Sequence, residues 1–231
     1  MKTIGVLGGM SAQATIDFEA RVHAVAQRLV PQRWNTGYPP MIVWYHRRLP
    51  FRTDEHGRRI EPLEIDPQLV EAAAWLAKSV DFLVMPCNSA HAGLTELRRA
   101  ASCPILSMID VTLEEVARRG WLRVGVLGFA GAPAVYVEPL RQRGAHVETI
   151  DAALQARLDA GIQAVMEGRE GAADVDAART AVATLRAASV DGVILGCTEI
   201  PLLLGEDAEG KDLVSPAVVL AEAAVRRAAD I

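Results

Sequence analysis

Cysteine is scarce in this chain, with three thiols in 231 residues. A sparse, odd set argues against a disulfide framework and suits a reducing compartment. Aromatic residues are thin as well, 5% of the total, which argues against stacking platforms for bases or sugars. Long apolar runs are missing: no window of 18 apolar residues exists, and that excludes a spanning helix. The opening run Met1-Lys-Thr-Ile-Gly-Val-Leu-Gly-Gly9 breaks at glycines too early for a signal peptide. Excess positive charge is also absent. The formal net charge is -5, and acidic and basic residues are interspersed, so neither a basic face for nucleic acid nor a charged arm stands out. The expectation is a soluble cytoplasmic protein with no nucleic-acid or membrane partner.

What is present is an apolar chain, 51% hydrophobic, ample for one or two packed domains. Ile4-Gly-Val-Leu-Gly8, Met41–Tyr45, Phe82–Met85 and Pro104–Ser107 read as strands. Between them lie helical stretches at Ala14–Val30 (with Ile16, Ala20, Val25 and Leu29 among its apolar positions), Asp66–Lys78 and Ala90–Ala101, then Val111–Arg119. Asp66 is placed to cap its helix, with Pro67 at the first helical position. The polar, arginine-rich segment from His46 to Glu64 reads as a surface loop, of a length that tends to be functional. A second series comes next, with strands at Arg123–Gly128, His146–Ile150 and Gly192–Leu195. Helices are expected at Ala134–Arg143, Leu154–Glu167, Val175–Ala188 and Pro216–Arg227. Continuous apolar strands alternating with helices predict an α/β fold with parallel sheets covered on both faces.

The two series echo each other. Gly5-Val-Leu-Gly8 and Gly125-Val-Leu-Gly128 each open a half, and Pro86-Cys-Asn-Ser89 and Gly196-Cys-Thr-Glu199 each follow a later strand. Gly5 lies 82 residues before Cys87, and Gly125 lies 72 before Cys197. This predicts two pseudo-symmetric lobes, each a parallel sheet flanked by helices. Residues 1–110 with 215–231 form the first, carrying Cys87; residues 111–214 form the second, carrying Cys197.

In open parallel sheets, ligands bind beyond the carboxyl ends of the strands. Both cysteines sit there, each where a helix or loop starts. Helix N-terminal amides favour an anion and would stabilise a thiolate. Two lobes facing across one cleft would then bring two thiols to one carbon. One thiolate would remove a proton from a stereocentre, and the opposite thiol would return one to the other face. Configuration inverts without a cofactor or metal. The carbanion needs fixed donors near a substrate carboxylate, and Asn88, Ser89 and Thr198 lie beside the sulfurs in sequence.

Competing readings exist for each group. Cysteine also serves as a small buried hydrophobe, and Ser102-Cys-Pro-Ile-Leu106 fits that reading for Cys103. Cys87 and His91 are spaced i, i+4, half of a zinc site, but further ligands at the usual spacing are not evident. His91 otherwise reads as a structural histidine, or as one that tunes Cys87.

The ordered set Met1–Ser11, Met85-Pro-Cys-Asn-Ser-Ala-His91, Pro104-Ile-Leu-Ser-Met-Ile109 and Leu195-Gly-Cys-Thr-Glu-Ile-Pro201 resembles the aspartate/glutamate racemase superfamily. Within it the aspartate racemase branch is the nearer likeness. The resemblance spans essentially the whole chain. It implies a racemase that needs no pyridoxal phosphate, a small amino-acid substrate, aspartate or glutamate, and a homodimer. It assigns Cys87 and Cys197 as the acid/base pair. It places Met10 and Ser11 in a loop lining the pocket, and Asn88, Ser89, Thr198 and Glu199 next to the cysteines as substrate-binding positions. Glu199 also has a structural reading, orienting a partner. Arg52-Thr53 resembles the Pro-x-Arg-Thr pattern of the long loop, whose arginine contacts a distal carboxylate; a planar guanidinium suits a bidentate contact. Arg47, Arg48, Arg58 and Arg59 lie close by as solvated loop arginines.

Three departures bear on substrate. Gly128-Phe-Ala-Gly-Ala-Pro133 has none of the hydroxyls that related racemases carry after this strand. Glu167 and Met166 stand where aspartate racemases tend to carry a lysine, and a carboxylate there would repel that of aspartate. Ser11-Ala12 replaces Gly-Pro, as in broader-specificity branches. A broad-specificity racemase, a maleate isomerase, a malonate-type decarboxylase and a binding protein without turnover therefore remain alternatives.

Overall fold

The computed structural model describes residues 1–55, 60, 63–131 and 133–231. The chain divides into two units, Met1–Met108 with Leu220–Ile231, and Ile109–Val219. In the first, β1 (Ile4–Gly8) leads to α1 (Ala12–Leu29), β2 (Met41–Tyr45) and α2 (Pro67–Leu76). After these come β3 (Phe82–Val84), a 3₁₀ turn (Ser89–Gly93), α3 (Leu94–Ala100) and β4 (Ile105–Leu106). Helix α4 (Met108–Arg118) leads into the second unit. There β5 (Arg123–Leu127), α5 (Ala134–Gln142), β6 (His146–Glu148), α6 (Ala152–Glu167) and α7 (Ala172–Ala187) precede β7 (Gly192–Leu195). A short α8 (Ile200–Leu204), a second 3₁₀ turn (Gly205–Glu209), β8 (Leu213–Val214) and α9 (Pro216–Ala229) end the chain. No helix among the described residues is long and apolar enough to cross a membrane.

Each unit holds one four-stranded sheet, in order β2-β1-β3-β4 and β6-β5-β7-β8. Every pairing is parallel. The second order is the first with four added to each number, so the repeated motif in the sequence is a repeated winding in space. The apolar runs follow from burial on both faces. Along β5 and β7, Val124, Val126 and Ile194 enter a cluster with Tyr136 and Leu140. The alternate residues Leu127, Val193 and Leu195 pack with Leu158, Ile162 and Leu185. Side chains alternate faces along a strand, so two covered faces demand apolar residues throughout. Tyr136 is fully buried, and burial pushes its phenol far up, so it stays neutral while hydrogen-bonded to Thr112.

Local signals hold at the helix starts. Asp66 accepts from the Gln68 amide at 3.1 Å and Pro67 opens α2. Asp151 caps α6 by accepting from the Leu154 amide at 2.8 Å. In α1 the buried stripe is Ala14, Phe18, Val22, Val25 and Ala26. Ile16 lies off that stripe and is 60% exposed. Spacings of three and four select one face of a helix, and Ile16 falls about 200° from Ala14.

The winding sets where a ligand belongs in each unit. From the central strand β1 the chain goes one way to β2 and then across to β3. The loops after β1 and β3 therefore part, leaving a crevice at their carboxyl ends. Those loops are Gly9-Met-Ser11 and Met85-Pro-Cys-Asn88. In the second unit the parting falls between the loops after β5 and β7, which are Gly128–Pro133 and Gly196-Cys-Thr198.

Candidate active site

In the first unit the chain turns sharply after β3. The Cys87 amide donates to the Met85 carbonyl at 2.8 Å, across Pro86. This leaves the Cys87 side chain partly exposed while Met85, Pro86 and Asn88 are buried. Ser89 Oγ lies 3.6 Å from Cys87 Sγ. His91 is buried, with Nδ1 2.8 Å from the Cys87 carbonyl oxygen and Nε2 3.0 Å from the Met108 amide nitrogen. Only one tautomer satisfies both contacts: Nε2 accepts the amide proton, so Nδ1 carries the hydrogen donated to Cys87. His91 is thus a neutral clasp between the cysteine turn and the start of α4. Neither nitrogen is open to a metal without breaking one of these bonds.

The apolar pattern predicts a regular helix soon after Cys87, but the chain first makes a five-residue 3₁₀ turn. After Cys197 the helix α8 has only five residues. Neither offers the stacked peptide dipoles that a helix-end argument requires. A side chain lies against each sulfur.

In the second unit the Gly196 amide donates to the Leu127 carbonyl at 2.7 Å, continuing the β5–β7 pairing. Cys197 Sγ then donates to Glu199 Oε2 at 2.9 Å, and Thr198 Oγ1 donates to the same oxygen at 3.1 Å. Glu199 is 1% exposed, and its Oε1 has no hydrogen-bond partner among the described residues. A buried carboxylate oxygen without a partner is costly. The Thr198 hydroxyl proton is committed to Glu199, so a substrate would have to compete for it.

The remaining expected residues are spread over each lobe. Ser11 caps α1, its hydroxyl accepting from the Ala14 amide at 3.4 Å. Met10 packs against the apolar cluster that Cys87 also touches, which includes Leu7, Phe51, Ile65 and Met85. The loop from His46 doubles back on itself: Arg52 donates its amide to Glu64 at 2.9 Å, and Phe51 bridges Ile65. Arg52, Thr53, Arg48 and Asp66 line a cavity of about 380 Å³. The Arg52 side chain is 50% exposed, and its guanidinium is paired with Glu64 at 2.5 Å. Arg48 faces Asp66 at 3.7 Å, and Arg47 lies over the Tyr45 ring. Arg58 and Arg59 lie outside the described residues.

The departures noted in the sequence have structural counterparts. In the loop that lacks hydroxyls, the Ala130 amide donates to Asp159, and Gln155 donates to the Gly128 carbonyl and to Asp159. Two side chains of α6 hold the loop where threonines are missing; Ala132 lies outside the described residues. Glu167 is exposed at the end of α6, bonded to Arg169 and Gln163. The hydrogen bond from Arg169 holds its carboxyl below the usual range. Cys103 packs beside the first core, and burial pushes its thiol up, as for an inert buried cysteine.

Two buried serines were not among the expected site residues, although Ser107 lies within the motif Pro104-Ile-Leu-Ser-Met-Ile109. Ser107 and Ser215 immediately follow β4 and β8, the strands beside β3 and β7, and both are buried. Ser215 Oγ has no hydrogen-bond partner among the described residues. The available signal was their matched position, Ile105-Leu-Ser107 and Leu213-Val-Ser215.

Two parallel sheets of identical winding, each with a cysteine beside its crevice, define a two-lobed α/β fold of the kind found in aspartate and glutamate racemases. The sequence pattern of the Asp/Glu/Hydantoin racemase family matches residues 7–224, and this chain belongs to that family. It is similar to the broad specificity amino-acid racemase RacX of Bacillus subtilis, 32% identical over 62% of this chain and 63% of the relative. It is also similar to the glutamate racemase of Geobacter metallireducens, 32% identical over 58% of this chain and 50% of that protein. These matches span between half and just under two thirds of the curated relatives' lengths. The fold is shared with an aspartate racemase homologue from Pyrococcus horikoshii OT3, TM-score 0.77, 21% identical, covering 99% of this chain and 100% of that one. It is shared more distantly with the maleate isomerase of Pseudomonas putida S16, TM-score 0.61, 17% identical, covering 99% and 92%.

Proposed function

We propose that this chain is a cofactor-independent amino-acid racemase in which Cys87 and Cys197 serve opposite faces of one α-carbon. The observation that carries the reading is positional. Both thiols stand at the crevice of a sheet, at the same place in two identical windings. In one direction, Cys87 thiolate takes the α-proton and becomes a thiol; the bonding pair stays on carbon, delocalised into the α-carboxylate. Cys197 then gives its proton to the opposite face and becomes a thiolate. The reverse reaction exchanges the roles. Asn88, Ser89 and Thr198 are the side chains that hold the substrate, donating to its α-carboxylate or accepting from its α-ammonium, as the resemblance implies.

The leading substrates are aspartate and glutamate, with Arg52 receiving the side-chain carboxylate. A second reading, broad specificity, is favoured by one observation: the Arg52 guanidinium already holds Glu64. A cation neutralised by the chain itself does not demand an acidic substrate. The likeness to RacX supports the same reading. We also propose a homodimer. Trp44 on edge strand β2 and Trp75 on α2 pack tilted, with ring centroids 5.5 Å apart, while both exposed, and such a patch favours a partner. Sedimentation of wild type against Trp75→Glu tests this, and an unchanged monomer in both sinks it.

The decisive experiment is α-proton exchange in deuterated water, followed by NMR across both enantiomers of an amino-acid panel. Cys87→Ser and Cys197→Ser are each expected to lower racemisation by about 10²–10⁴-fold, the worth of a general acid or base. No exchange with any amino acid, or unchanged exchange in both variants, ends the proposal.

A further inference from the structure

The two thiols have different neighbours at the same offset. Two residues after Cys87 stands the hydroxyl of Ser89, and two residues after Cys197 stands the carboxylate of Glu199. The second contact has a direction. Glu199 Oε2 receives both Cys197 Sγ and Thr198 Oγ1, so that oxygen is an acceptor and Cys197 is a donor. An ordinary thiol also binds its proton far more tightly than an ordinary carboxylate. A thiolate at Cys197 would face this buried oxygen at 2.9 Å with no proton between them, and like charges at such range oppose ionisation. A hydroxyl behaves differently, since it rotates to donate to an adjacent anion.

We propose that Glu199 fixes the resting proton of the site on Cys197, leaving Cys87, with Ser89 donating to it, as the sulfur that rests as thiolate. Glu199 is in this account a positioning residue that acts through Cys197. The consequence for turnover rests on the racemase reading above. The free enzyme is poised for the enantiomer whose α-proton faces Cys87. It leaves that turnover with Cys87 as thiol and Cys197 as thiolate beside Glu199, and the same repulsion drives reprotonation of Cys197 from solvent while Cys87 gives its proton up to solvent. The resting distribution itself is independent of any reaction.

The test uses the full chain without substrate. Thiolate, not thiol, attacks iodoacetamide. Limited alkylation at neutral pH, read by mass spectrometry of the peptides carrying Cys87, Cys103 and Cys197, gives three rates in one sample. Cys87 is expected to react about ten-fold faster than Cys197. Glu199→Gln should raise the Cys197 rate several-fold and leave Cys87 and Cys103 unchanged. Ser89→Ala should lower the Cys87 rate alone. If Glu199→Gln does not fold, Glu199→Asp, which withdraws the carboxylate by one methylene, should raise the Cys197 rate in the same sense. Faster labelling of Cys197 in the wild type, or a Cys197 rate unmoved by the Glu199 variant that folds, overturns the proposal. A chain with the expected order but no α-proton exchange loses the racemase reading and keeps this one. A chain that racemises with the order inverted does the opposite.

Discussion

Cys87 and Cys197 occupy matching turns, yet the turns are built differently. The Cys87 turn is held through its backbone: His91 clasps the Cys87 carbonyl, and a hydroxyl lies near the sulfur. The Cys197 turn is held through its sulfur, which is bonded to the buried Glu199. Where the first lobe has His91, the second has Pro201, inside the first turn of α8. A proline there fixes the backbone and needs no partner for its missing amide hydrogen. A repeated winding thus preserves where a thiol stands while leaving its chemical surroundings free to diverge. The first loops of the two lobes differ in the same way. Gly9 has φ +82°, and an added Cβ would fall 2.4 Å from Tyr45 Cα; Gly131 has φ +109° and open space around it.

The largest expected difference between the lobes lies in those glycines. Gly9→Ala meets left-handed strain plus backbone overlap and should cost about 3 kcal/mol or more, whereas Gly131→Ala meets only the conformational penalty, about 1–2 kcal/mol. Urea unfolding of the two variants measures this, and equal costs would mean the loops are equivalent after all. His91→Ala removes the clasp and both of its hydrogen bonds, to the Cys87 carbonyl and from the Met108 amide, a loss of about 2–3 kcal/mol. Thermal unfolding should show that loss, with His91→Asn falling between the two.

A smaller effect concerns substrate. Exposed ion pairs contribute about 0–1 kcal/mol, so Glu64→Gln should lower KM for aspartate and glutamate by only a few-fold and leave KM for neutral amino acids unchanged. Equal changes for both classes would remove Arg52 from side-chain recognition. The smallest effect is on pH dependence. His46 is 4% exposed and stands 3.3 Å from Asp66 Oδ2; burial, outweighing the attraction of Asp66, lowers its pKa from the usual 6.5. The unfolded chain therefore binds a proton that the folded chain refuses. Stability should fall as pH drops from 6.5 towards the lower folded value, and His46→Gln should flatten that slope in a pH series of melting temperatures.

Much of the fold was legible in the chain because the relevant physics is local. Met41–Tyr45 and Gly192–Leu195 form as read: Gly192–Leu195 is a continuous apolar run buried on both faces, while Met41–Tyr45 is an edge strand that leaves Trp44 exposed. Asp66-Pro67 starts a helix because both residues favour that end by their own covalent structure. β8, with two residues, and α8, with five, were not legible. Elements that short carry no period, and only neighbouring strands and helices hold them.

The same division runs through the site. The sequence determined that two thiols end two strands in a repeated α/β pattern, because residue identity and spacing are linear properties. It determined too that the loop after β5 lacks hydroxyls. Tertiary structure decided what each polar group touches. Glu199, read as a substrate contact or an orienting residue, is placed against Cys197 Sγ, while Arg52 faces Glu64, a residue twelve positions away. Glu167, expected to confront a substrate, is bonded to Arg169 at an exposed helix end. A carboxylate's role depends on which donor lies within about 3 Å of it, and that distance does not exist until the chain has folded.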